Sequence, residues 1–274
     1  MSLAFDLYLP RPSWLHRLDP RVKIVLLLAG TAILLTFQNL FVCLAWVIAN
    51  HLLFFSARAP WARLRALWAL MLPVSALVFA TWPLVYQEGG AVWWEFWRIK
   101  ITSVSAAHGL ALALRLNALA QIYFLLLFTT DQMALVRGLV RLGLPFEWGL
   151  TLAIALRYVP AFFGTFQMIA EAQQARGLRL DRGSWLQRLR AYLPILVAMI
   201  ITALRTMDNL ARALEARALG AVPHRTVYKT LAFTRRDWAI LLIGGLAAIM
   251  LLYARLALGF GAHPLDWLVG SLGQ

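Results

Sequence analysis

Two arginines of this chain sit in matched settings, and they are the side chains best placed to do chemistry. Ala175-Arg176-Gly177 and Ala216-Arg217-Ala218 each close a long helical pattern. A guanidinium presents a rigid fork of N–H donors that fits a carboxylate or a phosphate. Small residues on either side let a partner's backbone approach closely. A cation at a helix C-terminus also complements the helix dipole. On the residues alone three uses stay open: docking onto a partner, plain helix termination, and contact with phospholipid.

Other chemistries lack their residues. The lysines are Lys23, Lys100 and Lys229, and none follows a glycine, so there is no phosphate-binding loop of the G-x-x-x-x-G-K-[ST] kind and no ATP hydrolysis by that route. His16, His51, His108, His224 and His263 are scattered without metal-ligand spacing, and no serine sits in a G-x-S-x-G elbow. Cys43 is the single cysteine, which excludes an intramolecular disulfide and a cysteine metal cluster. The expectation is a protein with no catalytic residue, cofactor or metal of its own.

The elements that carry the arginines have an unusual composition. The first reads FFGTFQMIAEAQQARGLRLDRG and the second PILVAMIITALRTMDNLARALEARALG, apolar at the start and polar toward the arginine. Gln167, Glu171, Gln173 and Gln174 crowd the first; Arg205, Asp208, Asn209, Arg212 and Glu215 crowd the second. A charge at the bilayer centre costs about 2.5 to 3.5 kcal/mol even on insertion scales. These helices are therefore expected to lie on or below a membrane surface rather than to cross it as clean spans.

The rest of the chain supplies the membrane. Of 274 residues 62% are hydrophobic and 14% charged, and the mean hydropathy is +0.72, which excludes an ordinary soluble protein and predicts an all-α polytopic membrane protein. The net charge of +14 would suggest nucleic acid in a soluble chain. In a membrane protein the bias of cytoplasmic loops toward Lys and Arg accounts for it, so no nucleic-acid partner is expected. The first twenty residues hold Asp6, Pro10, Pro12, Asp19 and Pro20 with no apolar core, unlike a cleavable signal.

Taken in order, Asp19 suits an N-cap and Pro20 the first helical position, starting a span over 24–37. Gln38 and Asn39 are predicted to turn the chain into a second span over 40–56, interrupted only by Asn50 and His51. A basic loop from Arg58 to Arg65, with Trp61 at interface depth, leads to a third span over 67–86, which Pro73 and Pro83 are expected to kink. Trp93, Trp94, Phe96 and Trp97 read as an aromatic belt. A fourth span over 103–130 carries His108, Arg115, Asn117 and Gln121, with Arg115 expected to meet a structural partner. A short amphipathic helix follows, capped by Asp131 and closed by Gly143 and Pro145. Pro160 and Pro194 are predicted to bend the two arginine-ended helices, and 238–258 is a last span.

This reading gives an N-terminal membrane region of four spans (1–130), a cytoplasm-facing module of long helices (131–236), and a closing span with a short external tail (237–274). Charge supports it. Of the 26 Lys and Arg, all but Arg98, Lys100, Arg115 and Arg255 fall in segments the scheme places on the cytoplasmic side, with the N-terminus inside and the C-terminus outside.

Leu15-His16-Arg17-Leu18-Asp19-Pro20-Arg21-Val22-Lys23, together with Ala175-Arg176-Gly177 and Glu215-Ala216-Arg217-Ala218-Leu219-Gly220, resembles the T component of energy-coupling factor transporters, the EcfT family that includes CbiQ. The resemblance covers nearly the whole chain in its order of elements. It implies a membrane scaffold joining two cytosolic ABC ATPase subunits to a small membrane-embedded substrate-binding (S) subunit, in an importer for a vitamin or a transition-metal ion such as cobalt. Residues 175–177 and 216–218 would then dock in grooves on the ATPases, with Ala218 standing where the family commonly has glycine. Phe162, Phe163, Phe166, Met168, Met199, Ile200 and Ile201 would cradle the S subunit or pack the two helices together.

Two competing classes are weaker. A self-sufficient secondary permease should carry an acidic residue within a span, and the five proposed spans hold no Asp or Glu. A membrane enzyme could be built on Glu171 with Arg176 or Asp208 with Arg212, but these spacings suit helix-surface ion pairs.

Overall fold

The computed structural model describes residues 8–85, 92–96, 99–180, 184–219 and 233–258. They form helices throughout, apart from one small hairpin. The helices are α1 (Trp14–Arg17), α2 (Pro20–Thr36), α3 (Leu40–Ser56), α4 (Trp61–Val85), α5 (Ser103–Thr129), α6 (Gln132–Arg141), α7 (Phe146–Ala175), α8 (Trp185–Ala216) and α9 (Arg235–Leu258). The hairpin pairs β1 (Val92–Phe96) with β2 (Ile99–Thr102) antiparallel. It occupies the stretch read from sequence as an aromatic belt, whose side chains lie outside the described residues. The chain divides into two compact units: residues 145–230 with the first six residues, and the remainder.

The larger unit is built around α5, which packs against α2, α3, α4 and β2, while α2 also packs against α6 and α9. Hydrogen bonds fix the direction of each helix. The backbone N–H of Asp19, ahead of α2, donates to Asp237 Oδ1 in the first turn of α9 at 3.1 Å. At the other end Arg255 Nε, late in α9, donates to the Thr36 carbonyl at 3.0 Å, so α2 and α9 run parallel. Leu9 N–H donates to the carbonyl of Phe128 near the end of α5. Arg11 donates to the carbonyl of Arg58, just past α3. Hence α2, α4 and α9 run away from the Asp19 end, and α3 and α5 run toward it. Seventeen residues of α2 or α3 span about 25 Å, close to the roughly 30 Å hydrocarbon core.

Several polar residues inside this bundle are bonded across helices, as burial favours, whereas Gln121 of α5, 1% exposed, has neither its amide nitrogen nor its amide oxygen bonded among the described residues. Asp19 caps α2 by accepting from Arg21 N–H. Lys23 Nζ, 9% exposed, donates to the Thr129 carbonyl at 2.9 Å and to Thr130 Oγ1 at 3.0 Å. Asn50 of α3 donates to the Ala118 carbonyl of α5, and Asn117 of α5 donates to Ser75 of α4. His51 Nδ1–H donates to the Val47 carbonyl while Nε2 accepts from Trp68 Nε1, so one neutral tautomer links α3 to α4. Arg115 of α5 lines a cavity of about 170 Å3 with Gln38, Trp82 and His108.

Several sequence expectations change. Asn39, in the three-residue connection that reverses the chain between α2 and α3, does more than turn it: the residue is buried and caps α3 by accepting from Phe41 and Val42 N–H. The basic stretch ahead of the third span is helical from Trp61. Five helices are long and apolar enough to cross a membrane, but they are not the five expected: α4, α5 and α9 qualify together with α7 and α8, while α3 is a shorter apolar helix.

Candidate functional site

The smaller unit consists of α7 packed on α8. Pro145 precedes α7. A capping box starts α8, with Ser184 N–H donating to Gln187 Oε1 at 2.9 Å. Pro160 and Pro194 lie inside unbroken helices. Within this pair Gly149, Ala170 and Ile195 are the buried described residues.

Both arginines occupy the same position of the same motif. Arg176 is the C-cap of α7; beyond it Gly177 takes φ +93, Gly177 N–H donates to the Gln174 carbonyl at 2.9 Å, and Leu178 N–H donates to the Gln173 carbonyl at 3.0 Å. Arg217 is the C-cap of α8; Ala218 takes φ +55, its N–H donates to the Glu215 carbonyl at 2.8 Å, and Leu219 N–H donates to the Leu214 carbonyl at 3.0 Å. These paired bonds are the Schellman closure, in which a left-handed residue reverses the chain and satisfies the last carbonyls. Glycine adopts that conformation without cost, whereas an L-residue pays about 1 to 2 kcal/mol. An added Cβ at Gly177 would meet nothing within 4 Å, so its glycine serves the backbone angle and not space.

The closure determines what the arginines can do. It uses up the helix-end carbonyls locally, so neither guanidinium is needed to cap its own helix. Arg176 and Arg217 are exposed, as are the flanking Ala175, Gly177, Ala216 and Ala218. Neither arginine forms an ion pair among the described residues, and neither do the pairs Glu171 with Arg176 or Asp208 with Arg212. Two unpaired forks, each set on a small-residue shoulder at a rigid helix end, suit an acidic groove on another surface. No group of three or more metal-binding side chains occurs among the described residues.

The apolar faces are open. Phe163, Met168, Ile200 and Ile201 are exposed, whereas Phe162, Phe166 and Met199 are half-buried. A stripe missed in the sequence runs the length of α8: Leu186, Leu189, Leu193, Leu196, Ile200, Leu204 and Met207, between 40% and 62% exposed. Its steps of three and four residues put it on one helix face, and that spacing was the available signal. Of the long helices, α8 separates polar from apolar residues most strongly.

Comparison with known proteins agrees with the motifs. The family described as cobalt transport protein, CbiQ, matches residues 11–228. The energy-coupling factor transporter transmembrane protein EcfT of Listeria innocua is 30% identical over 253 residues, covering 86% of this chain and 91% of that protein. EcfT of Thermosediminibacter oceani is 30% identical over 265 residues, covering 90% and 96%, and that of Brevibacillus brevis 28% over 260 residues, covering 91% and 97%. A multi-pass body that continues into two helices with identical arginine-capped ends, matched over this much of its length, belongs to the CbiQ/EcfT family of transporter transmembrane proteins.

Proposed function

We propose that this chain is the scaffold of an ATP-driven importer, in which Arg176 and Arg217 anchor two cytosolic ATPase subunits and the open faces of α7 and α8 receive a small substrate-binding membrane subunit. One observation carries the reading: two Schellman-closed helix ends present exposed, unpaired guanidinium groups in the same setting. The names of the relatives support the transporter class.

The assignment requires both arginines on one side of the membrane. Arg11, Arg17, Arg21, Arg58, Arg63, Arg235 and Arg236 gather at the Asp19 end of the larger unit, and Arg255 bonds at the opposite end. The positive-inside bias then makes the Asp19 end cytosolic. The chain leaves the larger unit after α6 and rejoins it before α9, and both points belong to that end. If α7 and α8 crossed the bilayer as a hairpin, Arg176 would emerge on the far side from Arg217, because only 177–184 separate α7 from α8.

Composition favours helices that keep to one side. Between Arg190 and Arg205 the apolar run of α8 covers about 21 Å, and Arg205, Asp208, Asn209 and Arg212 follow within about two turns of the same helix, so a crossing would draw several polar groups toward hydrocarbon. An amphipathic helix of this kind lies along the interface. Length and apolar content alone would allow a crossing; the charges at both ends of α8 oppose it.

Co-expression with two ABC ATPase subunits tests the assignment. The unaltered chain should retain both through purification. R176A/R217A should insert normally but lose the ATPases and uptake, and undiminished assembly and uptake in that variant would overturn the proposal.

A further inference from the structure

Two cavities of opposite character meet at the Asp19 end of the larger unit. One, of about 570 Å3, includes Arg17, Arg235 and Arg236 in its wall. The other, of about 210 Å3, is almost wholly apolar and is walled by side chains of α2, α3, α5 and α9, among them Leu26, Leu53 and Leu126. They share Trp14, Leu18 and Ile240, so the basic basin continues into the apolar groove.

The basin has cations and no free counter-charge. Arg17, Arg235 and Arg236 are exposed and make no ion pair among the described residues. The carboxylate in the wall, Asp237, is 2% exposed and fully occupied: Oδ1 accepts from Asp19 N–H, and Oδ2 accepts from Thr234 N–H at 2.9 Å and Thr234 Oγ1 at 2.6 Å. Lys23, in the groove wall, is held by Thr129 and Thr130. An anion entering the basin would therefore meet three guanidinium groups.

Its depth points to a lipid. Trp14, Trp61 and Trp238 lie at this end and are 47%, 69% and 54% exposed, and tryptophans collect at headgroup level. A free phosphate would use the basin but gain nothing from the groove, whereas an amphiphile uses both. From this geometry we infer that the joined cavities bind one anionic phospholipid, with its phosphate among Arg17, Arg235 and Arg236 and an acyl chain passing Leu18 and Ile240 into the apolar groove. The lipid bridges the α1 segment and α9. This site is independent of the ATPase-docking reading.

The test uses the purified full chain in nanodiscs of phosphatidylcholine with increasing phosphatidylglycerol, and native mass spectrometry of the lipid retained on release. Phosphatidylglycerol should be kept over phosphatidylcholine by about tenfold or more, given the attraction of each nearby cation. R17Q/R235Q/R236Q should lose that preference. R63Q/R65Q/R141Q, with the same change of charge away from the cavities, should keep it. Ile240→Trp blocks the shared wall and should release the lipid with the arginines intact, a monodisperse sizing profile showing that the variant is folded. Millimolar inorganic phosphate should not displace the lipid; displacement would mark a free-anion site and overturn the lipid assignment. Equal retention of the two lipids by the unaltered chain, an undiminished preference in R17Q/R235Q/R236Q, or lipid held by Ile240→Trp would each overturn it as well.

Discussion

The two units of this protein differ most in what they do with their polar side chains. In the larger unit Lys23, Asn50, Asn117 and Asp237 are buried and bonded across helices. In the smaller unit Arg176 and Arg217 face outward and form no ion pair among the described residues, and large apolar residues such as Leu204 at 62% and Met168 at 69% are exposed as well. The most apolar windows of the long helices are 6% to 33% buried in the larger unit and 0% to 6% in the smaller. Both units expose large apolar residues, Phe55 at 86% and Met250 at 71% in the larger one; what sets them apart is the buried, bonded polar network of the larger unit and the exposed arginine-capped helix ends of the smaller. Rigidity and recognition are thus divided between regions, and substitutions in the two should fail in different ways.

The largest separation is expected at the arginines. Charge reversal at either one, R176E or R217E, should cut retention of an ATPase subunit by at least about a hundredfold, since one charge-assisted fork is lost and a repulsion is introduced. Thermal stability of the isolated chain should fall only slightly, by the roughly 0.3 to 1 kcal/mol of a charge against the helix dipole, because neither side chain forms an ion pair among the described residues. Pull-down and melting measured on one preparation check both halves.

The reverse pattern is expected in the clasp at the Asp19 end. Lys23→Met removes two charge-assisted hydrogen bonds and leaves the Thr129 carbonyl without its donor, a cost of about 2 to 3 kcal/mol. Asp237→Ala strands the N–H groups of Asp19 and Thr234 at a similar cost. Both should lower the melting temperature, and any protein that remains folded should still hold ATPases.

A smaller effect belongs to His16, whose Nδ1 accepts from Ser13 Oγ and whose Nε2–H donates to the Leu9 carbonyl. Burial, with a lesser contribution from the charge on Lys23, lowers its pKa below the ordinary 6.5, against the opposing hydrogen bond to Leu9. The unfolded chain therefore takes up the proton first. Stability from this contact is complete above pH 6.5 and falls as the pH drops toward the folded-state value. Melting between pH 7.5 and 5 should show that decline, and His16→Gln should flatten it.

The smallest effect separates the two helix ends. Ala218→Gly should slow hydrogen exchange in the last turn of α8 by a few-fold, and Gly177→Ala should speed it in α7 by a similar factor, corresponding to about 1 kcal/mol at a left-handed position. Equal exchange in all forms would mean that the two closures do not depend on the residue that forms them.

Local signals were readable wherever one residue decides a helix end. Asp19 with Pro20, Asp131, and the two arginine signatures fall where side-chain caps and left-handed closures place them. Asn39 was read as a turn residue only, and it also caps α3, because asparagine serves turns and N-caps through the same side-chain acceptor. Pro73, Pro83, Pro160 and Pro194 stay inside helices, as prolines do in apolar helices whose neighbours re-satisfy the freed carbonyls. The hairpin at 92–102 was legible in Val92-Trp93-Trp94-Glu95-Phe96, a run rich in strand-forming types, but tryptophans beside a span also read as an interface belt. What no local pattern contains is the clasp, since Asp19 and Asp237 meet across 218 positions of chain. The basic basin that shares this end was invisible for the same reason.

The central claim is that Arg176 and Arg217 face one compartment, and thiol labelling across the membrane tests it most directly. On a Cys43→Ala background, which removes the single and buried cysteine, R176C and R217C are exposed separately to a membrane-impermeant maleimide in intact cells and in inverted vesicles. Both should label in inverted vesicles and neither in intact cells. Labelling of one from each side would contradict the account.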